Sequence, residues 1–181
     1  MAMQTHELVP HAAFPPDSVR SVKARIGIVG TWLQLRWRVE GSAKLVIPPF
    51  AGRHRADELW RTTCFELFAQ ARGQDAYCEL NLAPSEAWAA YDFSEPREGM
   101  TNRRLSHDPV ITPRNGRDLL IFDAAMPLSD LPALPLDYGL TCVIEEEGGI
   151  LSYWAMAHGD VKPDFHDPSC FAGSIAAPEQ P

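Results

Sequence analysis

Hydrophobic and polar residues alternate along much of this chain with a period of two, the spacing of β-strands with two distinct faces. In residues 31–39, TWLQLRWRV, Leu33, Leu35, Trp37 and Val39 share one side, and Gln34, Arg36 and Arg38 the other. In residues 63–69, TCFELFA, Phe65, Leu67 and Ala69 oppose Cys64, Glu66 and Phe68. In residues 77–82, YCELNL, Cys78, Leu80 and Leu82 oppose Tyr77, Glu79 and Asn81. Short apolar runs at 118–124, 140–145 and 150–158, each bounded by turn residues, predict three more strands. Alternating Val22, Ala24, Ile26 and Ile28 predict another within 19–29. Glu147-Gly148-Gly149 has the composition of a hairpin turn joining the last two runs.

Helical signals are sparse. Residues 85–91, SEAWAAY, follow Pro84 and predict one or two helical turns, and residues 57–60 predict another. Neither is long enough for a crossover between parallel strands. Sixteen prolines break any longer helix. The expected fold is therefore all-β: an antiparallel β-sandwich with one or two short helices. The 181 residues are expected to form one domain, 1–181, with a core at roughly 19–173 and extended or loose ends at 1–18 and 174–181.

Charge excludes some functions and leaves others open. The net charge of −8 argues against a nucleic-acid partner. It is unevenly placed: residues 1–90 carry ten Lys/Arg and nine Asp/Glu, residues 91–181 six and fifteen. The acidic excess, including Glu145-Glu146-Glu147, reads as solvated turns and hairpin tips that favour solubility. No apolar run approaches a membrane span, so no membrane partner is expected. Without a signal-peptide pattern, the cytoplasm is the expected compartment. Cys64, Cys78, Cys142 and Cys170 contain no CxxC pair and are expected as reduced thiols. P-loop, GxGxxG, GxSxG and HExxH motifs are all missing from the sequence.

The candidate chemistry lies on the polar sides of two strands. Alternation puts Glu66, Glu79, Asn81 and Tyr77 on faces opposite their aliphatic neighbours. If those strands pair, one sheet face carries two carboxyls, an amide and a phenol, a set that hydrogen-bonds a polyol. Arg36 would join it from its own strand. The same pattern also describes a plain solvated sheet face. Trp60 and Trp88 flank these strands and offer flat rings for a sugar, or packing for a core. Two carboxyls on one face also suit acid–base work on a glycan. His158, Asp164 and His166 match no metal-site spacing, so no metal is assigned.

The blocks ADELWRTTCFELF, YCELNLAPSEAWAAYDF, SYWAMAH and KPDFH resemble the bacterial DOMON-like domain proteins, a group similar to DOMON domains and family-9 carbohydrate-binding modules. The matching stretches run over 56–100 and 150–166, with a weaker match at 33–41. The resemblance implies a β-sandwich of roughly ten strands and a sugar or haem ligand. It also marks Arg97, retained in Pro96-Arg97-Glu98-Gly99-Met100, where the family pattern has Tyr in place of Pro96. The expected function is a non-catalytic binding module for a carbohydrate or similar polar small molecule, a sugar or cell-wall-related compound, with no cofactor. The expected ligand-binding residues are Glu66, Glu79, Asn81, Arg36, Trp60, Tyr77, Trp88 and Arg97. The alternative is a haem-binding domain with Met156, His158 or His166 as axial ligands; a glycan-active enzyme ranks third.

Overall fold

A computed structural model of the chain describes residues 3–159 and 161–177. Thirteen strands follow in chain order. They are β1 (Gln4–Pro10), β2 (Ser21–Val29), β3 (Trp32–Glu40), β4 (His54–Arg55), β5 (Cys64–Ala71), β6 (Tyr77–Leu82) and β7 (Ala87–Phe93). Then come β8 (Thr101–Asn102), β9 (Val110–Asn115), β10 (Leu119–Pro127), β11 (Leu136–Glu146), β12 (Ile150–Ala155) and β13 (Gly173–Ile175). They form one curled sheet in the order β4-β7-β6-β5-β11-β12-β1-β2-β3-β10-β9, with β13 on β11 and β8 on β7. Every pairing is antiparallel except that of β4 with β7.

β1 is the fold's hinge line. Its first residues pair with β2, and Val9 and Pro10 pair with β12. The two halves of the sheet thus face each other as a sandwich. Leu33, Leu35, Trp37 and Val39 point inward as alternation requires, and meet Phe65, Leu67, Leu80 and Leu82 from the opposite half. Phe65 stacks on Phe122 at 4.2 Å between centroids, and Trp37 lies 5.4 Å from Phe65. Burying aromatic rings across the gap supplies a large apolar area to the core.

β5 and β6 are buried on both faces, apart from the half-buried end of β5. Their outer face is not a solvated one. Phe68, Tyr77, Ala89, Tyr91 and Phe93 form a second apolar cluster there, roofed by Phe165, Phe171 and Leu59. Leu59 comes from the turn before β5, and the rest of the roof from the segment that follows β12. That segment closes onto the sheet at Gly139, where a Cβ would come within 2.6 Å of the Cys170 carbonyl oxygen.

Several expectations need correction. Residues 85–91 are not helical: Ala87–Phe93 is strand β7, entered through a tight turn in which Glu86 has φ 68. Ala89 and Ala90 are fully buried between packed layers, where their small size matters more than their helix propensity. Helix among the described residues is confined to four short 3-10 turns, one of which, Leu59–Arg61, falls at the turn expected at 57–60. The strand expected over 150–158 ends at Ala155. Residues 3–18 are not loose, since they include β1, and buried Leu8 and Ile175 extend the core beyond 19–173; the parts of the expected loose ends at 1–2 and 178–181 lie outside the described residues. Glu146 is no solvated hairpin tip. It is fully buried, and its carboxylate accepts from the backbone N–H groups of Asp17, Ser18 and Val19 and from the Ser18 hydroxyl. The hairpin turn itself forms as expected, with Gly148 and Gly149 at positive φ.

The four cysteines are buried and free. No helix among the described residues is long and apolar enough to cross a membrane.

Candidate functional site

Strand register builds the site. Across β11, β5, β6 and β7, Thr141, Glu66, Asn81 and Ala89 lie side by side. Two residues along, Gly139, Phe68, Glu79 and Tyr91 form the next row. Gln70, Tyr77 and Phe93 follow in the third. Above these rows opens a cleft of about 740 Å³. The strands contribute Glu66, Phe68, Glu79, Tyr91, Phe93, Val143 and Tyr153 to it. The loop before β5 adds Asp57, Glu58 and Trp60, and the segment after β12 adds Pro163, Phe165 and His166. Arg97, Met100 and Asn102 complete the rim.

The polar groups at the floor form a chain of hydrogen bonds. Glu66 Oε2 accepts from the Thr141 hydroxyl at 3.2 Å. Glu66 Oε1 is buried with no partner, and so is Asn81 Oδ1. Asn81 Nδ2 donates to Glu79 Oε1 at 2.9 Å. Glu79 Oε2 lies 3.7 Å from His166 Nε2. His166 Nδ1 is 2.7 Å from the Tyr77 hydroxyl, which accepts the backbone N–H of Arg97 at 3.2 Å. Arg97, held at φ 62 in a tight turn, is bonded through its side chain to Asp164 at 2.8 Å.

Burial sets the charge of this floor. It pushes the Glu66 carboxyl well above the usual carboxylate range, and the nearby charge of Glu79 adds to the effect. It raises Glu79 to about 7 against the opposing pull of the Asn81 hydrogen bond and Arg97. It lowers His166 to about 4, helped by the positive charge of Arg97. Burial therefore favours the neutral form of each of these three groups. On the walls, the Tyr91 hydroxyl donates to Asp57 at 2.6 Å, and Arg55 lies 5.3 Å from the Tyr91 ring centroid. Trp60 is 48% exposed at the mouth, with Arg61 over its ring.

Of the residues picked out from sequence, Glu66, Glu79, Trp60 and Arg97 line the cleft. Asn81 and Tyr77 sit directly behind it and hold Glu79 and His166. Two do not reach it. Arg36 lies on the outer face of the other half of the sheet, paired with Asp123 at 2.6 Å. Trp88 points into the core between the halves. The three residues named for haem do not meet. His166 lines the cleft, whereas Met156 packs on the main core and takes the Leu140 N–H on its sulfur. His158 bonds the Val9 carbonyl and packs edge-on against His11. Tyr91, Phe93, Asp57, Tyr153 and Phe165 were missed. Reading 87–93 as a strand would have placed Tyr91 and Phe93 on one face.

No family model matches the chain, and a comparison with curated proteins gives no match. Among solved structures, it is similar to a protein from Bacteroides uniformis proposed to bind carbohydrate, at 17% identity and a TM-score of 0.61. That likeness covers 93% of this chain and 83% of the other, and establishes a shared fold. Two structures of a family 9 carbohydrate-binding module from Caldicellulosiruptor kristjanssonii, one with cellotriose and one with glucose, superpose at TM-scores of 0.49 and 0.48. Each is 11% identical; they cover 86% and 81% of this chain, and 74% and 71% of theirs.

Proposed function

We propose that this chain is a non-catalytic binding module for a carbohydrate, belonging with the DOMON-like proteins, and that the cleft over β5, β6 and β7 is its ligand site. The observation that carries this reading is the pairing of hydrogen-bonding carboxyls at the cleft floor with aromatic rings on its walls. A sugar ring presents hydroxyls at its edge and apolar C–H faces above and below, so it needs both kinds of surface. The motif blocks that carry the family resemblance supply Asp57, Glu58, Trp60, Glu66, Glu79, Tyr91 and His166, all of which line this one cleft. The Bacteroides uniformis protein of the same fold is itself proposed to bind carbohydrate.

Calorimetric titration of the full chain against neutral, amino and cell-wall-derived oligosaccharides tests the reading. At least one should bind with Kd in the range of about 1 μM to 1 mM, with a change in tryptophan fluorescence that Trp60→Ala removes. Absence of binding across the panel by a folded sample overturns it.

A further inference from the structure

The floor of the cleft leaves two buried oxygen atoms without hydrogen-bond partners. Glu66 is 2% exposed, and its Oε1 has no hydrogen-bond partner. Its cross-strand neighbour Asn81 also leaves Oδ1 unpaired. A buried carboxyl oxygen and a buried amide oxygen without partners both cost free energy, and a donor-rich group that let Glu66 ionise would satisfy both. The Thr141 hydroxyl donates to Glu66, and Cys64, Cys142 and Glu79 interact with it electrostatically. Glu79 faces Asn81, His166, Tyr77, Tyr91 and Arg97.

The charges around the cleft agree with this. Asp57 and Glu58 at the mouth are paired with Arg55 and Arg61, and Arg97 is committed to Asp164, whereas Glu66 and Glu79 on the floor have no ion pair with a lysine or arginine among the described residues. The walls add the π-faces of Trp60, Tyr91 and Phe93, which attract cations. A hydroxyl would bring one donor and two lone pairs toward the carboxyl oxygens. An ammonium brings three donors and no lone pair.

From this geometry we infer that the floor is an ammonium subsite, and that the sugar it takes is an amino sugar with a free protonated amine. The inference rests on the sugar-binding reading and narrows it. The amine sits between Glu66 and Glu79, donates to Glu66 Oε1, and allows both carboxyls to ionise together. Binding therefore releases protons from the floor.

The test compares three trisaccharides on the full chain by calorimetry at about pH 6, where the amine is protonated and Glu79 largely is too. They are the trimers of glucosamine, N-acetylglucosamine and glucose, with spermidine as an amine lacking a sugar ring. The glucosamine trimer should bind at least about tenfold tighter than either neutral trimer. Its heat should differ between buffers of different ionisation enthalpy, showing proton release. Glu66→Gln and Glu79→Gln keep side-chain size, and each should shrink the preference and the proton release. Equal affinity for all three trimers overturns the inference and leaves the sugar-binding reading standing. So does a preference that survives in both variants. Binding of none overturns both, and so does binding of spermidine alone.

Discussion

Glu79 and His166 make opposing contributions to how folding responds to pH. Burial raises Glu79 from its ordinary 4.5 to about 7, so between those values the folded chain holds a proton that the unfolded chain has released. Stability falls as pH rises through that window, by about 3 kcal/mol in all. His166 runs the other way. Lowered by burial from 6.5 to about 4, it is neutral in the folded chain while the unfolded chain is protonated. Stability rises with pH across that window, again by about 3 kcal/mol. The two slopes cancel where the windows overlap, from about pH 4.5 to 6.5. Replacing either residue exposes the other. Relative to wild type, Glu79→Gln should be neutral near pH 4 and more stable by about 3 kcal/mol near pH 8. His166→Asn loses its ring contacts at every pH, and beyond that offset should gain about 3 kcal/mol near pH 4 relative to pH 8. Urea unfolding from about pH 4 to about pH 8 gives both difference curves. The imidazole of His166 in the wild type should titrate near 4 by NMR. A His166 titration above its ordinary value, with both difference curves reversed in sign, would mean that the pair is ionic and refute the reasoning.

Other outcomes follow from single contacts. Glu146→Ala leaves the three backbone N–H groups of Asp17, Ser18 and Val19 without an acceptor, while the Ser18 hydroxyl keeps the Gly41 carbonyl, and should cost about 3 kcal/mol or more in urea unfolding; a loss under about 1 kcal/mol contradicts the clamp. Trp60→Ala removes a half-exposed ring, so stability should change by less than about 1 kcal/mol while sugar affinity falls at least about tenfold. Gly139→Ala drives a Cβ against the Cys170 carbonyl and should cost about 1–3 kcal/mol, with hydrogen exchange quickening across residues 161–172; unchanged exchange there would remove Gly139 as the seat of the roof.

Alternation made the strand faces legible because side chains on a strand repeat every two residues whatever the strand pairs with. Leu33, Trp37, Phe65 and Leu80 therefore point where the sequence put them. What a strand pairs with is not periodic. Glu66 meets Thr141 across a gap of many strands in chain order, and nothing local in either segment encodes that register. Residues 85–91 misled for a related reason. Alanines favour helices in isolation, but here they fill a space between packed layers that admits nothing larger. The roof was least legible of all. Residues 161–172 have no period, and their role depends on Gly139 far along the chain. Without that roof, Glu66 and Glu79 would face water and keep ordinary carboxyl chemistry.

The uneven charge follows from the same non-local pairing. Much of the acidic excess in the second half answers arginines of the first. Arg20 pairs with Asp118, Arg36 with Asp123 and Arg72 with Asp137, each joining segments more than sixty residues apart. These pairs are partly exposed, so each adds at most about 1 kcal/mol. Their larger effect is to favour one register, since a slipped strand would separate the partners. The acids that remain at the cleft are of another kind. Glu66 and Glu79 form no ion pair with a lysine or arginine among the described residues, and the one base beside Glu79, His166, is itself held neutral by burial. A chain that matches acid to arginine across its halves, yet leaves two buried carboxyls facing a cleft, has placed groups that burial holds neutral where a cationic ligand would let them ionise.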